Sequence, residues 1–330
     1  MSDFKGVEIS DVAGLAEPLI KLFEVASCGV GKLYEPLHIR RMAKAKAKEL
    51  EIMGAEVSKN MMLPHAYNNG EISIDATDAN ELILRMQNRL LFQELKKQQN
   101  IDAVVTNAYN ILENETTVSD EPVDEDWILR FFNSVADISS EEMQVLWAKI
   151  LAGEVKRPKT FSMRTLDVLH NISKDEAALF EGICQYRTTL GVESSIYNDK
   201  DYLSNAGISV SDILRLDECG LFISNPFLVF EIAVPAAGKV LTHNSEIVII
   251  VKSRDKNEVN LKIEEFPFTL TGEEIVQLFE PPESDNLLAF AKHLGLNKND
   301  IIVSAHTIIN ISDSDINYDE QNLLDIQSTP

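Results

Sequence analysis

The sequence predicts an α+β protein that is mainly α with a smaller β part, in which elongated N-terminal helices precede a helical and winged-helix-like body. Before residue 210, apolar residues recur at helical spacing, and capping residues precede many of these stretches. After residue 210 come three β-rich runs, "FLVFEIAV", "SEIVIIVKS" and "VNLKIEEF". Two helical stretches come before these runs and another follows them, and the order helix, helix, β-ribbon, helix favours a winged-helix-like layout.

The first 60 residues are predicted to form amphipathic and basic helices. In the run "VAGLAEPLIKLFEVASCGVG", Leu15, Leu19 and Phe23 share one helical face. The run also carries Glu17 and Lys21, and a charge at the bilayer centre costs about 2.5–3.5 kcal/mol. We therefore expect a helix that does not span a membrane. Its apolar face is of the kind that lets a helix lie on a membrane surface.

A basic segment follows in a chain whose formal net charge is -23. Residues 32–48 contain six basic residues and one acid. A helical projection places Arg40, Arg41, Lys44 and Lys48 on its polar side, and Lys32 comes just before the helix. Four interpretations stay open: a solvated face, a contact with the chain's own acidic segment, an anionic membrane or protein partner, and nucleic acid. The apolar helix next to it favours a membrane or protein partner over nucleic acid.

The segment "ENETTVSDEPVDED", residues 113–126, has seven acids and no base, which predicts a solvated linker and a domain boundary. The predicted order is N-terminal amphipathic and basic helices, a long helix or helical hairpin, an acidic linker, a compact helical domain, a winged-helix-like α+β domain and an acidic flexible tail. Their ranges are 1–60, 61–115, 116–126, 127–195, 196–311 and 312–330.

Local signals predict where several helices of the body begin and end. Asp124 is predicted to cap one helix, and Gly153 to end the next. Capping boxes are predicted for the pairs Ser139 and Glu142, Ser173 and Glu176, and Thr271 and Glu274. The residues predicted to form the core here are Trp127, Phe131, Phe132, Leu146, Trp147, Ile150 and Leu151.

Motifs for chemistry are weak. "ASCGVGKLY" has a Gly-Lys pair, but the earlier P-loop glycine position is Ala26 and the hydroxyl position is Leu33. The three cysteines and six histidines are scattered without metal-ligand spacing. We therefore predict no catalytic, cofactor-binding or metal-binding residue, and the balance favours a protein that is not an enzyme.

Three stretches carry a family resemblance: "GKLYEPLHIRRMAKAKA", "VDEDWILRFFNSVADISSEEMQVLWAKILAGE" and "PKTFSMRTLDVLHNISKDEAALF". They resemble the bacterial and prophage family called domain of unknown function 2806. "EEMQVLWAKILAGE" is also similar to a block of abortive-infection alpha proteins, which are associated with phage defence. The first resemblance implies no catalytic residues, and the second implies a role in defence.

The prediction is a non-enzymatic bacterial or phage-derived interaction protein that acts through self-association, with a role in phage defence. Its N-terminal helix would bind a membrane or a partner. The alternatives are a winged-helix-type regulator that binds nucleic acid and an enzyme with an unrecognised site. The expected location is the cytoplasm, including the inner face of the membrane. The residues predicted for the contact are Leu15, Leu19, Phe23, Lys32, Arg40, Arg41, Lys44 and Lys48.

Overall fold

A computed structural model describes residues 17–30, 66–68, 71–73, 76–190, 193–224, 229–255, 257–312 and 316–326. The chain divides into two compact units, Met1–Leu166 and Asp167–Pro330. Among the described residues, the first unit is helical apart from one short hairpin, and the second combines helices with two four-stranded antiparallel sheets. The α+β prediction is therefore confirmed.

Unit 1 consists of helices and a short hairpin. The helices are α1 (Glu17–Val30), α2 (Ala76–Leu112), α3 (Glu125–Val135) and α4 (Glu141–Lys156), and α5 (Met163–Asn171) crosses the division between the units. The hairpin pairs β1 (Ala66–Asn68) with β2 (Glu71–Ser73). Helix α2 is one unbroken 37-residue helix, where the sequence predicted a long helix or a helical hairpin.

The predicted core residues of unit 1 are all buried, as their spacing indicated. Trp127 stacks on Phe131 with ring centroids 5.1 Å apart, and Phe131 meets Trp147 edge-on at 5.4 Å. Helix α1 packs against α2, α3 and α4. Gly29 permits this contact, because a Cβ there would lie 2.1 Å from the ring of Phe132.

The acidic segment, residues 113–126, does not divide the two units. It lies inside unit 1, and lysines hold it there. Lys21 of α1 donates to the carbonyl oxygens of Ser119 and Glu121 at 2.7 and 2.8 Å. Lys156 binds the Glu115 carboxylate at 2.6 Å, and Lys159 binds that of Glu121. The local composition suggested a solvated linker, because it contains no information about the lysines that hold this segment. These lysines lie up to 100 residues away in the chain.

Unit 2 contains the remaining elements. Its helices are α6 (Lys174–Cys184), α7 (Lys200–Asn205), α8 (Val210–Glu218), α9 (Leu270–Val276) and α10 (Ser284–Asn297). Its strands are β3 (Arg187–Leu190), β4 (Glu193–Tyr197), β5 (Val229–Val234), β6 (Lys239–His243), β7 (Ile247–Ser253), β8 (Val259–Pro267), β9 (Ile301–Ile311) and β10 (Ile316–Leu324). The sheet orders are β3-β4-β8-β5 and β10-β9-β7-β6.

The winged-helix-like order is present but interrupted. The chain order of the elements concerned is β4, α7, α8, β5 and β8. The three strands pair in the order β4-β8-β5. The hairpin of β6 and β7 is inserted between β5 and β8 and belongs to the other sheet. Strand β7 is an almost continuous buried apolar run, so it takes a central position between β6 and β9. The three β-rich runs thus do not form one ribbon.

The acidic tail was predicted to be flexible from residue 312 onwards, but part of it forms β10, which pairs with β9. The buried His306 explains the attachment. Its Nδ1 lies 3.2 Å from the Asp319 carbonyl oxygen, and its ring lies against Tyr318 with centroids 5.3 Å apart.

Two helix starts and one helix end differ from prediction. Helix α4 has Ser140 as its N-cap instead of a box from Ser139, and α9 is capped by Thr269, two residues before the predicted Thr271. Helix α4 continues past Gly153 to Lys156. Gly153 instead admits the ring of Phe161, whose nearest atom lies 2.7 Å from where a Cβ would be.

Candidate functional site

The predicted contact residues divide into two groups. Leu19 and Phe23 lie in the core of unit 1, with exposed fractions of 4% and 2%. Leu15, Lys32, Arg40, Arg41, Lys44 and Lys48 lie outside the described residues. The apolar face of α1 was predicted to touch a membrane, but α2, α3 and α4 cover it, so Leu19 and Phe23 do not offer an exposed contact.

The described residues contain neither a metal-binding cluster nor a membrane-spanning helix. Within that part of the chain, no group of three or more histidine, cysteine or acidic side chains is arranged to hold a metal ion. None of the described helices has the length and apolarity needed to cross a bilayer.

An open cleft of about 250 Å³ lies between β5 and β6. These strands follow one another in the chain but enter different sheets, so their facing edges diverge. The lining is mostly apolar, and its acid, Glu231, pairs with Lys262 at 2.8 Å. This cleft therefore shows no set of converging polar groups of the kind that defines an active site.

Helix α2 contains the most extended apolar surface that the sequence indicated. Its C-terminal half packs against α4, and one face there is buried. The buried residues of that face are Ile101, Val104, Val105, Ala108 and Leu112. At about 100° per residue, the same face continues toward the N-terminus as Leu82, Met86 and Leu90. These three side chains are exposed by 40%, 47% and 51%.

A second apolar stripe occupies the opposite side of this N-terminal half. Leu84 and Leu91 lie there with exposed fractions of 39% and 44%, and Phe92 beside them is 68% exposed. A helix that is apolar all round is typically buried against neighbours. The segment 82–92, called here the apolar helix end, therefore has surface for more contacts than unit 1 supplies.

Helix α8 occupies the position of a recognition helix in the winged-helix-like order. Its basic residue, Arg215, binds the Glu176 carboxylate of α6, with Nε and Oε1 3.1 Å apart. Val210 and Leu214 are exposed by 54% and 48%. The Arg215 guanidinium is therefore engaged within unit 2, and the exposed surface beside it is apolar.

The Glu176 carboxylate is fixed by the capping box that the sequence predicted. Ser173 donates to it from its backbone N–H at 2.9 Å and from its hydroxyl at 2.7 Å. These two bonds, followed by the contact with Arg215, lower the pKa of Glu176 to about 2. The carboxylate is therefore ionised at neutral pH and holds Arg215 on α6.

The sequence indicated the apolar positions of α2, and the structure adds that Leu82, Met86 and Leu90 are exposed. The spacing of Leu82, Met86 and Leu90 suits a helical bundle. A signal was present in the sequence, because Leu84 and Leu91 add a second stripe that a single packed face does not need.

A helical unit and a unit with two antiparallel sheets define an α+β protein, and its helices carry exposed apolar residues. Residues 84–292, more than half of the chain, match the family model described as "Protein of unknown function (DUF2806)". The chain belongs to this family, as the resemblance implied. No curated protein and no solved structure matches the chain.

Proposed function

We propose that this protein is a non-enzymatic interaction protein that self-associates through the apolar helix end of α2. The observation that supports this is the exposure of six large apolar side chains within eleven residues of one continuous helix. Those residues are Leu82, Leu84, Met86, Leu90, Leu91 and Phe92.

The energy available is large enough to hold copies together. Full burial of a leucine, methionine or phenylalanine side chain stabilises by about 1.5–3 kcal/mol. The stripe of Leu82, Met86 and Leu90 continues the face that already packs against α4. A helix laid along this stripe would extend an existing core, as in a helical bundle.

A second copy of the chain is the partner that the charge pattern favours. Arg85, Arg89 and Lys96 follow one another along one side of α2, next to the Leu82 stripe. The rest of the chain is strongly acidic, since the net charge is -23. A neighbouring copy therefore offers an acidic surface for this basic edge and its own apolar helix end for the stripe.

Light scattering on the full chain after size exclusion tests this proposal. We expect an oligomer that dissociates when both Met86 and Leu90 are changed to glutamate, because two charges would then be buried in the contact. The pair Leu84→Glu and Leu91→Glu tests the opposite stripe in the same way. We expect each pair of substitutions to raise the dissociation constant at least tenfold. A tenfold change corresponds to about 1.4 kcal/mol of binding free energy.

The matched control is the pair Gln87→Glu and Gln99→Glu, which adds the same two charges to exposed polar positions of the same helix that lie off the stripe of Leu82, Met86 and Leu90. It should leave the mass unchanged, and circular dichroism should show equal helix content in all variants. The proposal would be contradicted by a wild-type chain that is monomeric at about 100 μM. It would also be contradicted by a control that dissociates as readily as the apolar variants.

The basic segment is a second proposed contact, with an anionic membrane surface. Six cations against one acid in residues 32–48 support it. We expect the chain to float with anionic but not neutral liposomes, and charge reversal of Arg40, Arg41, Lys44 and Lys48 to abolish flotation. Flotation unchanged by the reversal would exclude this segment as the contact. A role in phage defence stays a prediction from sequence likeness.

A further inference from the structure

Glu265 of β8 is a buried carboxyl group that makes no hydrogen bond of normal geometry to the described residues. Its side chain is 2% exposed, and both carboxylate oxygens lack a bond of normal geometry. Leu261 and Ile263 precede it on the same face of β8, and both belong to the apolar core between the sheets and α10. The polar group therefore lies at the edge of an apolar region.

The polar neighbours of this carboxyl are hydroxyl groups. Ser195 and Thr188 lie close enough to lower its pKa slightly. Their hydroxyls are 3.5 Å from each other, and Thr188 Oγ1 also lies 3.4 Å from the Ser195 carbonyl oxygen. Both residues are buried.

The charged groups around Glu265 are directed elsewhere. On β4, Tyr197 is its register partner, and burial is the main reason that the pKa of this phenol is raised. On β8 itself, Glu264 is exposed on the opposite face. On α9, Glu273 accepts from the backbone N–H and the hydroxyl of Ser194. The described cations therefore give this carboxyl no ion pair, unlike Glu231 with Lys262.

We propose that Glu265 is a proton-linked switch in unit 2, whose β4 and β8 strands pack stably with the carboxyl protonated and loosen when it ionises. The protonated group is neutral and can donate to a Ser195 or Thr188 hydroxyl. The ionised group would bury a charge among apolar side chains, and burial of an unpaired charge is strongly unfavourable.

The pH window follows from the direction of the shift. Burial raises the pKa of Glu265 to about 7, above its ordinary value of 4.5. The stability that the proton contributes is fully present below about pH 4.5 and is lost as the pH rises through about 7. Each pH unit in this window changes the ratio of folded to unfolded unit 2 by up to tenfold, so the total is on the order of a hundredfold.

Denaturant unfolding of the full chain between pH 5.5 and 8, followed by hydrogen exchange at β4 and β8, tests the switch. Glu265→Gln keeps the shape and removes the titration. After correction for intrinsic exchange rates, the wild-type strands should exchange faster at pH 8 than at pH 5.5. We expect Glu265→Gln to remove this difference. The control Glu264→Gln alters the exposed neighbour on the same strand and should keep that rise.

A second measurement keeps the proposal testable if Glu265→Gln folds poorly. Carbon-13 NMR of the wild-type carboxyl should show its titration near pH 7. A titration near pH 4, or an equal pH dependence in the wild type and a folded Glu265→Gln variant, would overturn the switch.

Discussion

Two buried glutamates, one in each unit, have opposite environments. Glu154 in unit 1 is 1% exposed, and its two oxygens accept the backbone N–H groups of Lys159 and Phe161 at 2.6 and 3.0 Å. Glu265 in unit 2 is 2% exposed and has no such donors. Equal burial therefore leads to different roles, because hydrogen bonds to a carboxylate favour its charged form while desolvation favours the neutral form.

The bonds of Glu154 organise the loop after α4. Lys159 in this loop has a φ of 71°, a left-handed conformation that is uncommon for residues other than glycine. Glu154 binds the loop through two backbone donors, and the Trp127 indole N–H binds the Phe161 carbonyl oxygen at 2.8 Å. The carboxylate thus supports both a strained residue and the packing of Phe161 on Gly153.

The largest effect expected from this comparison is the loss of stability in Glu154→Gln. The substitution removes the charge and directs an amide toward one of the two backbone N–H donors, which leaves that donor unsatisfied. We expect a loss of about 3 kcal/mol in the free energy of unfolding, measured by urea denaturation of the full chain. Exchange at the Lys159 and Phe161 amides should accelerate most.

Glu113→Gln is the control, because Glu113 is exposed in the same unit. It should change the free energy of unfolding by less than about 0.5 kcal/mol. If Glu154→Gln were as mild as this control, the two backbone hydrogen bonds would not stabilise the loop.

The same substitution in unit 2 should have the opposite sign at alkaline pH. At pH 8, Glu265→Gln replaces a charge with a neutral group of similar shape and should slow hydrogen exchange in β8. At pH 5.5 the two proteins should differ little, because the wild-type carboxyl is then protonated. A Glu265→Gln variant less stable than wild type at pH 8 would contradict the contrast between the two glutamates.

The smallest effect concerns a third carboxylate, the partly exposed Glu176. Its pKa is depressed to about 2, so its contribution is present above about pH 4.5 and is lost as the pH falls toward 2. Ser173→Ala and Arg215→Ala should each raise this pKa; the first substitution removes the Ser173 hydroxyl bond and keeps the backbone N–H bond. Loss of the N-cap should also cost about 1 kcal/mol.

NMR titration of the Glu176 side chain in the wild type and the two variants measures both shifts. The neighbouring acid Asp175, exposed in the same helical turn, provides the internal reference, since its signal should behave alike in all three proteins. A larger shift in Arg215→Ala than in Ser173→Ala would show that the ion pair, rather than the cap, fixes the Glu176 carboxylate.

Local signals predicted much of the fold. The box of Ser173 and Glu176 and the cap at Asp124 are present as the spacing indicated. Gly220 ends the α8 region with a φ of 79°, as expected for a glycine after a helix. Predictions at Ser139, Gly153 and Thr271 were wrong because tertiary packing or a neighbouring hydroxyl supplied a competing arrangement.

The candidate surface was only partly predictable. Leu19 and Phe23 have the pattern of a surface helix that binds an apolar partner, and that partner is unit 1 itself. Leu82 and Met86 have a similar pattern, yet remain exposed. An amphipathic pattern shows which face needs a partner but contains no information about whether the same chain provides it.

The sequence by itself determined the helix positions, the aromatic core of α3 and α4, the β-rich second half and the family. These depend on interactions over a few residues or on side-chain periodicity. Only the tertiary structure decided that the acidic segment is held by Lys21, Lys156 and Lys159, that β6 and β7 leave the sheet of β5 and β8, and that Glu154 is satisfied while Glu265 is not. Each of these depends on contacts between residues far apart in the chain, and the free energy of a buried charge depends on those contacts.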